Sequence, residues 1–191
     1  MTVQDPDQEL VERAKRGDTQ AFGALVERYQ RLLTALAFGM LRDEGKTEDV
    51  VQEAFISAWK SLPGFRGAAK FRNWLCRILL NKARSALRWG RLRRWISLDE
   101  PSGEKERALE GRLTDESAEA DPEGSSLREE HGRAVRDAVA AMPLRQRTAV
   151  LLRSGGLDVS EVAEAMGLAE GTVKAHLHQA RLRLEKVLGG R

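Results

Sequence analysis

A chain of 191 residues that is 41% hydrophobic can build one ordinary domain or two small ones, and 5% aromatic beside 32% charged residues favours helices over sheets. One cysteine, Cys76, excludes an internal disulfide, and no Cys/His cluster has zinc-ligand spacing, so a reducing compartment and a metal-free, cofactor-free fold are expected. The net charge of +3 divides unevenly: residues 1–96 hold 18 Lys/Arg against 11 Asp/Glu, residues 97–130 hold 4 against 12, and residues 131–191 hold 10 against 6.

The opening stretch "MTVQDPDQELVERAKRG" is polar and acidic, unlike a signal peptide, and no apolar run approaches membrane-spanning length. Phe22, Leu25, Val26, Tyr29, Leu32, Leu33, Leu36 and Met40 then recur at three- and four-residue steps, which predicts a long amphipathic helix capped by Asp18. A second helix is predicted from about Lys46 to Leu62, burying Val51, Phe55, Ala58, Trp59 and Leu62. "PGFRG" breaks it into a loop, and a third helix runs from near Phe71 to about Trp95 with Trp74, Leu75, Ile78 and Leu79 inward. Residues 1–96 thus read as an all-α bundle.

Between Glu53 and Asp99 no acid occurs, while Lys60, Arg66, Lys70, Arg72, Arg77, Lys82, Arg84, Arg88, Arg91, Arg93 and Arg94 accumulate. Such a run predicts a surface facing a polyanion, or else a solvated basic helix. Phe65 and Arg66 lie in the loop, and Asn73, Arg77, Asn81, Arg84 and Arg88 are expected on the outer side of the third helix. Arginines can hold phosphates, asparagine can pair with a base edge, and a loop aromatic can stack on an unpaired base.

Residues 97–130 combine few large apolar side chains with strong negative charge, so they read as a flexible acidic tether. A second helical domain is predicted over 131–191. Pro143 suits the first turn of a helix that "SGG" ends. Asp158 and Glu161 stand at capping-box spacing before a short helix that Gly167 closes. The next helix places Val173, Leu177, Ala180, Leu184 and Val187 on one stripe, leaving Thr172, Lys174, Ala175, His178, Gln179 and Arg181 outward, with Glu170 at its start. This is the pattern of a helix-turn-helix whose second helix enters the DNA major groove.

"EDVVQEAFISAW" (48–59), "GFRGAAKFRNWLCRILLN" (64–81) and "MPLRQRTAVLLRSGGLDVSEVAEAMGLAEGTVKAHLHQAR" (142–181) together resemble the extracytoplasmic-function class of bacterial sigma factors. The resemblance implies an all-α, two-domain promoter-specificity subunit of RNA polymerase, cytoplasmic and without enzymatic activity. Its implied partners are core RNA polymerase (β and β′ subunits), promoter DNA and an anti-sigma factor.

Asp49, Gln52, Glu53 and Ile56 share a helix face apart from the buried stripe, which alone reads as a solvated face. In the resembled family the positions matching Asp49, Gln52 and Glu53 dock on a β′ coiled coil. A metal site of Glu48, Asp49 and Glu53 is the catalytic alternative; it has no histidine beside it. By the same resemblance, the loop and helix carrying Phe65, Arg66, Lys70, Asn73, Arg77, Asn81, Arg84 and Arg88 capture the non-template strand of the minus-ten element. The outer residues of the last helix, Glu170 to Arg181, read the minus-thirty-five element.

The chain departs from the family in having Ala175, His176 and Gln179 where serine and arginines are common, which implies weaker, less salt-sensitive DNA contact. His176 and His178 would tighten that contact in mildly acidic solution. "GTVKAHL" also resembles response-regulator output domains, although residues 1–96 lack the strand-helix alternation of a receiver. An RNA-binding or nuclease-like basic protein is a further alternative. Cys76 is expected in the core rather than as a redox sensor.

Overall fold

The structure, a computed structural model, describes residues 6–96 and 132–189, with side chains to Trp89 in the first part and to Lys186 in the second. The predicted tether and the side chains of Arg91, Arg93, Arg94 and Val187 lie outside what is described. The elements are α1 (Gln8–Lys15), α2 (Thr19–Leu41), α3 (Glu44–Ser61), a 3-10 turn (Leu62–Gly64), α4 (Phe71–Ile96), α5 (132–140), α6 (Leu144–Ser154), α7 (Val159–Met166) and α8 (Glu170–Leu188). Among the described residues there is no strand, and the chain is all-α.

Local chemistry accounts for the helix starts. The Asp18 carboxylate accepts the N–H groups of Gln20 and Ala21 at 3.0 Å each, satisfying amides that a helix end leaves unpaired. Asp43 does the same for Lys46 at 3.0 Å. Pro143 sits at the N-cap of α6 rather than inside its first turn, and Gly155 ends that helix.

Periodic apolar stripes become the core: Leu25, Leu33, Ala54, Ala58, Leu75 and Leu79 are each at most 1% exposed. Two α-helices went unpredicted. Helix α5 falls in a stretch that the sequence marks only as the beginning of a domain. Helix α1 buries only Val11 and Ala14, too little to stand out as a stripe. It is secured instead by Asp7, fully buried, whose carboxylate accepts from the Tyr29 hydroxyl and the Arg28 guanidinium.

The two halves share one core. Leu152, Leu157, Val162, Met166 and Val173 join the cluster built by α2, α3 and α4. Helices α2 and α6 approach closely because each contributes a glycine: a Cβ on Gly39 would stand 2.5 Å from Leu151 Cδ1, and one on Gly155 would stand 2.6 Å from Leu32 Cδ1. Arg147 of α6 donates across to the Met40 carbonyl at 3.3 Å. Helix α7 lies against α4.

Candidate nucleic-acid interface

Three surfaces carry the residues singled out in the sequence. On α3, Asp49, Gln52, Glu53 and Ile56 are all exposed, and Ile56, at 46%, is one of the exposed large apolar side chains. Glu53 is tied to Lys82 of α4 at 3.4 Å, which steadies the stripe against the neighbouring helix. Beside it a shallow groove of about 270 Å³ opens between α2 and α3, lined by Val26, Gln30, Thr34, Val51, Gln52 and Phe55. No group of three His, Cys, Asp or Glu side chains is placed to hold a metal ion among the described residues.

The second surface is the loop before α4 and that helix's outer side. Gly67 adopts φ +70°, a left-handed conformation in which a Cβ is unfavourable, and so lets the loop turn. Arg66, Lys70, Arg77, Asn81 and Arg88 are exposed as expected. Phe65 departs from the loop-aromatic reading. It is half-buried and packs on Trp74 with ring centroids 4.9 Å apart and edge-on to Phe71 at 6.0 Å, because the apolar end of α4 offers it a closer partner than solvent. Asn73 is also a correction: it is 3% exposed, covered by α7, and its amide donates to Glu164 at 3.2 Å. Arg84 is half-buried and reaches the Met166 carbonyl at 3.5 Å. Burial, and next the charge of Arg145, lowers its pKa. Beyond it a basic cleft of about 630 Å³ separates α4 from α6, lined by Asn81, Arg84, Arg88, Leu144 and Arg147.

Sequence reasoning missed what α7 does to this surface. Glu161 bridges Lys70 at 2.9 Å and Arg72 at 2.8 Å, with only 8% of its own side chain exposed. Burial works to raise the Glu161 pKa, but hydrogen bonds from Lys70 and from the Asp158 amide, with the Arg72 charge, outweigh it and hold the carboxyl below its usual range. Nothing in one dimension links positions 70–73 to 161–164; Glu161 was legible only as a cap.

The third surface is the α7–α8 unit. The capping box forms as its spacing predicts, and Gly167 takes φ +67° at the turn. On α8, Val173 and Ala180 are buried and Leu177 and Leu184 half-buried, while Glu170, Thr172, Lys174, Ala175, His178, Gln179 and Arg181 are all exposed. His176 does not join them. It is half-buried, and its buried Nε2 has no hydrogen-bond partner among the described residues. The outer cations are partly neutralised, Lys174 by Glu170 at 3.8 Å and Arg181 by Glu185 at 2.7 Å.

Residues 25–93 match the family model for sigma-70 region 2, and residues 132–184 that for sigma-70 region 4. Similar proteins include the RNA polymerase sigma-H factor of Pseudomonas aeruginosa, 37% identical over 98% of this chain and 96% of the relative. The ECF RNA polymerase sigma-E factor of Escherichia coli K12 is 38% identical over 95% of this chain and 93% of its own. Among solved structures, CnrH in complex with the cytosolic domain of CnrY is similar with a TM-score of 0.69 and 26% identity, over 97% of this chain and 99% of that one. The sigma factor RpoE in complex with the anti-sigma factor NepR from Bartonella quintana shares the fold, with a TM-score of 0.65 and 24% identity over 88% and 96% of the two chains.

Proposed function

Because this chain belongs to the extracytoplasmic-function class of the sigma-70 family of RNA polymerase sigma factors, and is an alternative sigma factor for promoter recognition, we propose that its three surfaces act in series on polymerase and promoter. The α3 stripe docks on the β′ coiled coil of core polymerase, with Ile56 as the apolar anchor and Asp49, Gln52 and Glu53 around it. The outer face of α8 enters the major groove of the minus-thirty-five element, where His178, Gln179 and Lys174 meet base edges and phosphates. Arg66, Lys70, Arg77, Asn81, Arg84 and Arg88 track the non-template strand of the minus-ten element. Unstacking costs a few kcal/mol per step, and binding the freed strand offsets it.

Polymerase supplies magnesium and catalysis, so this chain is not an enzyme; it works in the bacterial cytoplasm. An anti-sigma factor that holds it inactive is its further partner, as the solved complexes of similar proteins suggest. No described helix is long and apolar enough to cross a membrane. The family matches leave the response-regulator reading unfavoured.

The observation that carries this reading is the outward α3 stripe, because a self-sufficient DNA-binding protein has no use for it. Run-off transcription on fragmented genomic DNA with purified core polymerase tests it. New start sites that depend on this chain are expected, and Asp49→Ala with Ile56→Ala should abolish them while leaving the melting temperature unchanged. If the double variant directs the same starts at the same yield, the stripe is a solvated face and the docking assignment fails.

A further inference from the structure

The cleft of about 630 Å³ between α4 and α6 carries arginine on both walls, Arg84 and Arg88 from α4 and Arg147 from α6. Two more arginines act on it from α6 and from the end of α2. Burial, and next the charge of Arg145, lowers the Arg84 pKa; burial, and next the charge of Arg42, lowers that of Arg147. No carboxylate among the described residues forms an ion pair with any of the five. Neutral oxygens take their place: Arg84 donates to the Met166 carbonyl at 3.5 Å, Arg88 to the Ser85 hydroxyl at 3.2 Å, and Arg147 to the carbonyls of Ala140 and Met40 at 2.8 and 3.3 Å.

Like charges gathered in a half-buried site repel one another more than they would in water, so the arrangement costs free energy until an anion enters. Arg147 Nε adds to that cost, because it is buried and has no acceptor among the described residues. Five cations are more than one carboxylate or one sulfate can meet. A chain of phosphates presents anionic oxygens at successive positions, and each pair of oxygens suits a planar guanidinium. The rest of the cleft is uncharged. Leu87 and Leu144 line it beside Asn81, and Trp89, 64% exposed, stands one helical turn beyond Ser85. An indole in solvent offers its face to a flat ring, and an amide can donate to and accept from a base edge. The volume is that of a small-ligand site, which spans about 300–1,000 Å³. Arg42, Arg145 and Arg147 belong to none of the three surfaces assigned above.

We propose that this cleft binds a nucleoside polyphosphate, its phosphates divided between the arginines of α4 and those of α6 and its base laid against Trp89 beside Asn81. A ligand held by both walls binds the folded chain and not the unfolded one, so stability rises with nucleotide concentration. The site stands apart from the promoter reading, since the α6 wall has no part in it.

Calorimetric titration of the full-length chain with ATP, with GTP and with inorganic tripolyphosphate, at matched ionic strength and without magnesium, tests this. All three should bind at one site per chain, and each nucleotide should raise the melting temperature as its concentration rises. Arg88→Gln with Arg145→Gln removes one exposed charge from α4 and one from α6; it should weaken all three ligands about tenfold or more. Arg16→Gln with Arg31→Gln, the same charge change at exposed positions elsewhere, should leave them nearly unchanged. Trp89→Ala should weaken ATP and GTP several-fold and leave tripolyphosphate as it was. If the unaltered chain binds none of the three, the proposal is overturned. An equal loss in the Arg16 and Arg31 variant also overturns it, because attraction to overall charge would then account for the binding. Tripolyphosphate binding together with nucleotide binding unmoved by Trp89→Ala overturns the assignment of the site to a nucleotide.

Discussion

Asp158 and Glu161 hold the first turn of α7 by two hydrogen bonds in opposite senses: the Glu161 amide donates to Asp158 Oδ1 at 2.8 Å, and the Asp158 amide donates to Glu161 Oε2 at 2.8 Å. Each side chain thus satisfies an amide that the helix itself leaves open. Val162 and Met166 of this helix are buried with Val173 of α8, so the cap also braces the recognition helix. Asp158→Ala should cost about 1 kcal/mol, lower the melting temperature by about 2–4 °C in a chain of this size, and weaken duplex binding in parallel. Calorimetry and fluorescence anisotropy check both. An unchanged melt would mean that Glu161 holds the turn through its contacts to α4 alone.

Carboxylates also set the response to acid. The amide of Glu161, then the Ser160 hydroxyl, lower the Asp158 pKa. The Ala21 amide and Arg13 lower that of Asp18, and the side chain and amide of Lys46 lower that of Asp43. Glu161 lies below its usual range despite the opposing effect of burial. Each folded pKa is therefore under its unfolded value of 3.8 for Asp or 4.5 for Glu, so the folded chain binds fewer protons in acid. The associated stability is fully present above those values and lost as pH falls through the lower, folded ones. Urea midpoints should stay level from neutral pH to about 5 and fall progressively below about 4.5. A midpoint that rises in that acid range would show that these groups gain nothing on folding.

Cys76 is fully buried in α4, and burial pushes its thiol up to about 12, so almost none is thiolate at neutral pH. A thiol-reactive chromophore should label the native chain no faster than the chain unfolds, and label it at once in denaturant. Fast native labelling would indicate that the Trp74–Leu79 turn of α4 opens locally. The result also decides whether a redox role is chemically open to this residue.

The helices that bury a wide stripe were legible because period and composition agree: α2, α3, α4 and α8 each repeat apolar residues on one side, and Asp18, Asp158 and Gly167 mark boundaries by chemistry that acts over three or four residues. Helix α1 was not, since a buried Asp7 anchored to Tyr29, across 22 positions, does part of what a stripe would do. The α3 stripe and the outer face of α8 could be read because exposure on a helix follows from its own periodicity. Asn73, Phe65 and His176 could not. Asn73 is buried by a helix some 90 residues away, Phe65 by aromatics whose angles no spacing encodes, and His176 lies on the edge between the buried and exposed sides of α8.

Helix α8 presents its charge in ion pairs along its exposed side. Arg181 lies 2.7 Å from Glu185, whose hydrogen bond raises the Arg181 pKa, and Lys174 lies 3.8 Å from Glu170. Exposed pairs of this kind contribute little, so DNA can separate them, but the acids remain beside the phosphates once it has. Glu185→Gln should therefore release Arg181 to a phosphate, steepen the slope of log affinity against log salt by about 0.9, and tighten duplex binding several-fold at low salt. Arg181→Gln should do the reverse and weaken all duplexes alike. Gln179→Ala, on the same exposed face, should instead lose about 1–3 kcal/mol on the preferred sequence only, because a base-edge contact carries sequence and a phosphate contact does not. Anisotropy titrations of one promoter and one scrambled duplex at several salt concentrations separate the two behaviours. A salt slope unmoved by Glu185→Gln would place Arg181 away from the DNA backbone and assign the grip to Lys174.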